Sequence, residues 1–244
     1  STARISGTLS VTEKNIETTK RGIETVTSRV GSFEQKVGEI SGTVTTLEKL
    51  SKTDPELLQK YSKVFFLNEH YVPERLAEIE PAYLYSERKT LLIHALASTH
   101  LQELMDAAKK EEVTVYVKSA YRSFAEQKNI KSAYTVTYGT GTANQFSAEQ
   151  GYSEHQLGTT VDFITTGLGG ELPGFENTPP YAWLLQNAYK YGFTLSYYND
   201  NPYYIFEPWH WRYVGIKLAA YLHDTNKHFY DLDQREIDTY LVHI

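Results

Sequence analysis

A seven-residue hydrophobic repeat runs through the first fifty residues and restricts what they can become. Leu9, Ile16, Ile23, Val30, Val37 and Val44 share one register, and Ile5, Val26, Phe33, Ile40 and Leu47 share a second, the a and d positions of a heptad. Only helices supercoiled at about 3.5 residues per turn keep both rows on one seam over about six repeats. The pattern therefore predicts an N-terminal coiled-coil helix over residues 1–50. β-Branched residues dominate a, which admits dimers or trimers, and Arg29 at g with Glu34 at the following e can pair between chains to set register. Thr12 and Thr19 interrupt d, and Gly7, Gly22, Gly31, Gly38 and Gly42 are present as well. Each glycine costs up to roughly 1 kcal/mol of helix stability, so the helix is expected to be weak alone and to join chains into a homo-oligomer. A helix packed on its own domain, or a frayed linker, is the alternative.

The remaining length suits one further domain, residues 51–244. Hydrophobic residues make up 41% and charged residues 22%, the balance of a chain that folds. The charge is uneven: residues 1–50 hold 7 Lys and Arg against 6 Asp and Glu, and the rest hold 17 against 24. An acidic body without a basic stripe excludes nucleic acid as partner, since that binding draws on Lys and Arg displacing counterions. With no cysteine, disulfides, Cys-ligated zinc and thiol catalysis are excluded, which fits an extracytoplasmic protein. No apolar run spans a bilayer and no signal peptide opens the chain. Opening on Ser1, it is expected to be a trimmed piece, which leaves room for a signal or membrane anchor upstream without showing one. The 20 tyrosines suit a cleft for peptides or polymers, but they also pack well in cores.

Beyond residue 50 the rhythm changes. Asp54 and Pro55 suit a helix start at the boundary, Leu91 to Ala108 reads as an amphipathic helix, and Val113, Val115 and Val117 alternate as a strand. Ser123 and Glu126 have capping-box spacing and should open a helix. Gly139 to Gly141 and Gly167 to Pro180 read as loops. Tyr181 to Tyr191 reads as a helix stopped at Gly192, followed by strand candidates Phe193–Tyr197, Tyr203–Phe206 and His210–Val214. Helices and strands mix without a regular βαβ beat, so the expected class is α+β: a small, mostly antiparallel sheet flanked by helices.

Two of the eight histidines stand in chemically suggestive company. His155 lies in Ser153-Glu154-His155-Gln156-Leu157-Gly158-Thr159-Thr160-Val161-Asp162, where a His precedes a Gly and an Asp lies within an apolar strand. A buried carboxylate there needs a positive partner, which a metal, an Arg or a helix N-terminus would supply. His210 lies in Glu207-Pro208-Trp209-His210-Trp211, three residues after a Glu. Catalytic zinc takes three protein ligands, keeps one position for water and needs a base nearby. His155, Asp162 and His210 would supply the ligands and Glu207 the base; a structural strand with a solvated Glu is the alternative.

Together with Ser119-Ala120-Tyr121-Arg122-Ser123, these segments resemble the bacterial LAS metallopeptidases, the group of VanY-type D-alanyl-D-alanine carboxypeptidases and related L,D-carboxypeptidases. The pattern Ser-x-His-x-x-Gly-x-Ala-x-Asp is met by Ser153, His155, Gly158 and Asp162, with Thr160 in place of Ala; Glu-x-x-His is met by Glu207 and His210. Leu67-Asn68 and Tyr71-Val72-Pro73 look like the family's entry segment, so the resemblance covers about residues 64–224 and leaves the heptads out. It implies one zinc ion per chain, held by His155, Asp162 and His210. Glu207 would act as general base and acid, and Arg122 would polarise the scissile carbonyl. Ser153, Ser119 and Gln127 are candidates to hold the terminal carboxylate of a peptidoglycan stem peptide. An L,D-carboxypeptidase or endopeptidase with the same site, or an inactive wall-binding scaffold, is the rival reading.

Overall fold

The computed structural model describes residues 2–52, 67, 69–86, 89–130, 151–201 and 203–241. Two compact units divide the chain, Ser1–Thr53 and Asp54–Ile244. In the first, α1 is one uninterrupted helix, Thr2–Lys52. Its heptad residues face outward: Ile16, Ile23, Val26, Val30, Phe33, Val37, Ile40 and Val44 are all exposed. Thr18, Thr19 and Thr25 return their hydroxyls to the carbonyls of Lys14, Asn15 and Arg21, the usual way a mid-helix Thr satisfies itself.

The second unit is α+β, as expected. The elements that bear on the site are β1 (Leu76–Glu78), β2 (Leu92–His94), α2 (Ala95–Lys110), β3 (Tyr116–Ser119), β4 (Thr160–Ile164) and α3 (Pro179–Asn187). They are followed by β5 (Phe193–Leu195), β6 (His210–Tyr213), α4 (Ile216–Thr225) and α5 (Gln234–Leu241). β1 and β2 form an antiparallel pair, and the other four strands form a sheet in the order β3-β4-β6-β5, every neighbour antiparallel.

Strand alternation gives the sheet two unlike faces. Val161 and Phe163 of β4, Trp211 and Tyr213 of β6, and Phe193 and Leu195 of β5 enter one core with Leu101 and Leu104 of α2, Leu184 of α3 and Leu218 and Leu222 of α4. Thr160 and Asp162 of β4 and His210 and Arg212 of β6 therefore occupy the opposite face. On β3 the ladder slips: Val117 pairs with Phe163, but Ser119 pairs with Asp162, so Lys118 is the extra residue of a bulge. Without it Ser119 would share the core face with Val117; the bulge turns Ser119 to the polar face.

Several sequence expectations need correction. Leu91–Ala108 is not all helix, because Leu92–His94 is strand β2 and α2 begins only after His94, whose Nδ1 accepts from Leu96 N–H as the cap. The Val113 to Val117 strand starts later, at Tyr116. Tyr203–Phe206 is not a strand, since Asn201 Oδ1 accepts from the backbone N–H groups of both Tyr203 and Tyr204 and holds them in a turn. The loop expected at Gly167 to Pro180 contains a 3-10 turn, Phe175–Asn177, and ends where α3 begins at Pro179. The Ser123–Glu126 capping box is present: Ser123 N–H donates to Glu126 Oε2 at 2.7 Å and Glu126 N–H to Ser123 Oγ at 3.3 Å, opening a helical run over 124–130. Asp54, Pro55, Asn68 and Gly139–Gly141 lie outside the described residues.

Candidate functional site

Three polar side chains converge on the polar face of the sheet. In the β4–β6 ladder Asp162 stands directly opposite His210, so register alone makes them neighbours. His155 arrives from a 3-10 turn, Glu154–Leu157, closed by Gly158 at φ 73°. A side chain at Gly158 would meet the left-handed backbone penalty and Pro73 Cγ at 3.1 Å, which explains the glycine. One ligand atom from each of His155, Asp162 and His210 lies within 4.8 Å of the others, and all three residues are buried.

The hydrogen bonds show which atoms are available. His155 Nδ1 lies 2.7 Å from the Ala120 carbonyl, which can only accept, so Nδ1 carries the proton and Nε2 has the lone pair. That Nε2 is 3.1 Å from Asp162 Oδ2, yet it is buried with no partner in hydrogen-bond geometry among the described residues. A lone pair and a carboxylate oxygen brought this close repel unless a positive species lies between them. His210 Nδ1 is 3.2 Å from Asp162 Oδ1, and its Nε2 is 2.9 Å from Glu154 Oε2. A buried His, Asp and His with an orphaned nitrogen among them is a donor set that suits a divalent transition metal, zinc above all.

The electrostatics of the cluster follow from these contacts. Burial, reinforced by the Arg122 cation, pushes His155 down to about 4. Burial also works against the His210 cation, but hydrogen bonds to Asp162 and Glu154 outweigh it and hold the group up at about 9. Burial would raise Asp162, but the two imidazoles overcome that and hold it far below the carboxylate range. Glu207 shows the reverse balance: burial pushes it up to about 7, against the lowering effect of His210.

Glu207 stands at the edge of the triad, its Oε2 3.6 Å from His210 Nδ1 and 3.2 Å from the Trp209 indole nitrogen that donates to it. Arg122 follows β3 by three residues; its backbone N–H donates to the His155 carbonyl at 3.3 Å and its Nη2 is 3.8 Å from Asp162 Oδ2. An Arg partner for Asp162 was one of the sequence alternatives; here it coexists with two closer imidazoles. The buried Arg122 Nε has no hydrogen-bond partner among the described residues. Of the other candidates, Ser153 is buried immediately before the His155 turn, Ser119 pairs with Asp162 across the ladder, and Gln127 is buried on the 124–130 helix.

Sequence reading missed Glu154. It is buried behind His210, with Oε1 accepting from Arg212 at 2.8 Å and Tyr230 at 2.6 Å, and Oε2 accepting from Ser196 at 2.6 Å. Tyr197 stacks on His210 with centroids 3.8 Å apart and planes 10° from parallel. Arg212, a cation two residues after His210 in a strand flanked by Trp211 and Tyr213, was the available signal that an acid lay beneath it.

Comparison with known proteins places this geometry. Residues 90–216 match the family model VanY, D-alanyl-D-alanine carboxypeptidase. YodJ of Bacillus subtilis (strain 168), provisionally named a carboxypeptidase, is 35% identical over 179 residues, 71% of this chain and 66% of its own length. A D-alanyl-D-alanine carboxypeptidase of Enterococcus faecalis is 36% identical over 138 residues, 50% of this chain and 48% of its own. The chain thus spans between about half and two thirds of these two relatives. Among solved structures, the LdcB LD-carboxypeptidase has TM-score 0.65 at 32% identity, covering 74% of this chain and 87% of that one. VanYB in complex with D-alanine-D-alanine has TM-score 0.58 at 27% identity, covering 70% and 96%. A mutant of the VanY D,D-pentapeptidase in complex with Zn(II) has TM-score 0.56 at 27% identity, covering 70% and 98%.

Proposed function

Because the chain belongs to the VanY family of D-alanyl-D-alanine carboxypeptidases, we propose that it is a zinc-dependent carboxypeptidase that removes the C-terminal D-alanine from peptidoglycan stem peptides. The observation that carries this reading is the buried His155, Asp162 and His210 cluster with its orphaned His155 Nε2, set beside a carboxyl held near neutrality. His155 would bind one zinc ion through Nε2, His210 through Nδ1 and Asp162 through its carboxylate. When bound, zinc supplies Lewis acidity, which makes water a nucleophile at neutral pH and polarises the scissile carbonyl.

The chain's own groups do the rest. Glu207, pushed up to about 7 by burial, has the proton affinity of a general base that must also act as acid. It takes the proton from the attacking water and returns it to the amine nitrogen as the peptide C–N bond breaks and D-alanine leaves. The Arg122 guanidinium, a cation aimed into the site with Nε uncommitted, stabilises the negative charge that develops on the carbonyl oxygen. Ser153, Ser119 and Gln127 are proposed to hold the free carboxylate of the stem peptide. Such a substrate would be met outside the cytoplasm, in the cell envelope, where an upstream anchor would suit. No helix among the described residues is long and apolar enough to cross a membrane.

The test is metal analysis with mass spectrometry of defined muropeptides. One zinc per chain and conversion of pentapeptide to tetrapeptide is the expected result. Conversion of tetrapeptide to tripeptide would mean an L,D-carboxypeptidase, the reading favoured by the likeness to LdcB. Wall binding without zinc or cleavage would mean a scaffold.

For residues 1–50 we propose self-association as a coiled coil. Its support is the apolar stripe from Ile16 to Val44, every described heptad side chain 47% exposed or more. In a parallel pair Arg29 of one copy meets Glu34 of the other, joining two or more catalytic domains, residues 51–244, in one particle.

A further inference from the structure

We propose that Glu154 is a positioning residue that dictates which nitrogen of His210 carries the proton, and so which nitrogen faces the metal; this rests on the zinc reading above. Its carboxylate is fully committed, and the commitments divide by oxygen. Oε1 accepts from Arg212 Nη1 and the Tyr230 hydroxyl, at 2.8 and 2.6 Å. Oε2 accepts from the Ser196 hydroxyl at 2.6 Å and meets His210 Nε2 at 2.9 Å. One oxygen is thus tied to the scaffold and the other to the site.

An ionised carboxylate has only lone pairs to offer, so Nε2 must be the N–H. Neutral His210 then has its lone pair on Nδ1, directed to the side where Asp162 Oδ1 stands at 3.2 Å and Glu207 Oε2 at 3.6 Å. Tyr197, stacked flat on the imidazole with Tyr204 stacked on it in turn, fixes the ring plane at centroid distances of 3.8 and 4.1 Å, and a ring flipped within that plane would put carbon atoms where Nε2 meets Glu154 and Nδ1 meets Asp162. The same strand supplies both ends of the device: His210 and Arg212 are two apart on β6 and so point to one face, where a single buried acid bonds both. Arg212 in turn is fixed over the Phe229 ring at 4.4 Å. His155 uses a simpler version of the same logic, with the Ala120 carbonyl in the role of the carboxylate.

Glu154→Gln tests the idea because it keeps size and shape. Arg212 and Tyr230 still require an acceptor, so the amide oxygen stays with them and the NH2 turns toward His210. A donor facing Nε2 forces the lone pair there and the proton onto Nδ1, the wrong tautomer for the metal. In the 244-residue chain, zinc affinity should fall about 10- to 100-fold, the usual effect of removing a partner behind a metal-binding histidine. Tyr230→Phe, which deletes the bond to Oε1 and leaves both Oε2 contacts in place, should lower thermal stability while leaving zinc affinity unchanged. Independently of any variant, histidine 15N spectra of the zinc-loaded native chain should show His210 bound through Nδ1 with Nε2 protonated. Native affinity in Glu154→Gln, an equal loss in Tyr230→Phe, or ligation through Nε2 would each overturn the proposal while leaving the zinc site intact. A native chain that binds no zinc would overturn both.

Discussion

Glu207 and Asp162 are carboxyls under the same burial penalty that titrate in opposite directions. Asp162 has an imidazole nitrogen within 3.2 Å of each oxygen, whereas Glu207 has one imidazole nitrogen at 3.6 Å and an indole N–H. Opposite charge at close range beats desolvation; at longer range it does not. From that difference, Glu207→Ala should retain zinc and lose activity by about 10²- to 10⁴-fold, since in the proposed mechanism it removes the proton carrier and no ligand. Metal analysis and a D-alanine release assay on one preparation check both halves, and wild-type turnover would end the assignment. His155→Ala and His210→Ala should instead lose stoichiometric zinc. These four residues were legible in the chain because each sits in a short motif whose members are local. Glu154 was not, because its partners Arg212 and Tyr230 lie 58 and 76 residues away and only folding shows that they share an acid.

At the level of elements, sequence periodicity read best where one face is buried. α3 with its closing 3-10 turn and β6 appear close to where they were expected, and Gly192 ends that turn at φ 81°. A Cβ at Gly192 would lie 2.7 Å from Tyr213 Cε2 and 3.0 Å from the backbone of Gly215 and Ile216. Gly192→Ala should therefore destabilise the domain by roughly 2 to 4 kcal/mol, combining left-handed strain with overpacking against backbone, as read by denaturant midpoint. Failures came where side chains compete with the ladder. Asn201 captures two amides that a Tyr203–Phe206 strand would need, and His94 caps a helix whose amphipathic pattern runs on past its start. Neither an Asx turn nor a histidine cap leaves a mark on hydrophobic periodicity.

Across the whole molecule, the heptads predicted a long helix and α1 is one, but a repeat specifies a partner's shape without supplying it. The 244-residue chain should therefore scatter light as a multiple of its 27.9 kDa mass, and Ile23→Asp with Val30→Asp, which puts charge on the seam, should return it to a single chain. Equal monomeric masses would remove self-association. The α+β class was legible from the mixture of patterns; the strand order β3-β4-β6-β5 was not, because pairing partners are set by tertiary packing. That order has a consequence for changes of length within β4. Odd-numbered β4 residues enter the apolar core while Asp162 points the other way, so losing one residue upstream within that strand would send the aspartate inward and a phenylalanine toward the histidines. A one-residue deletion in this strand is therefore expected to disrupt the apolar core and disperse the His155, Asp162 and His210 cluster together.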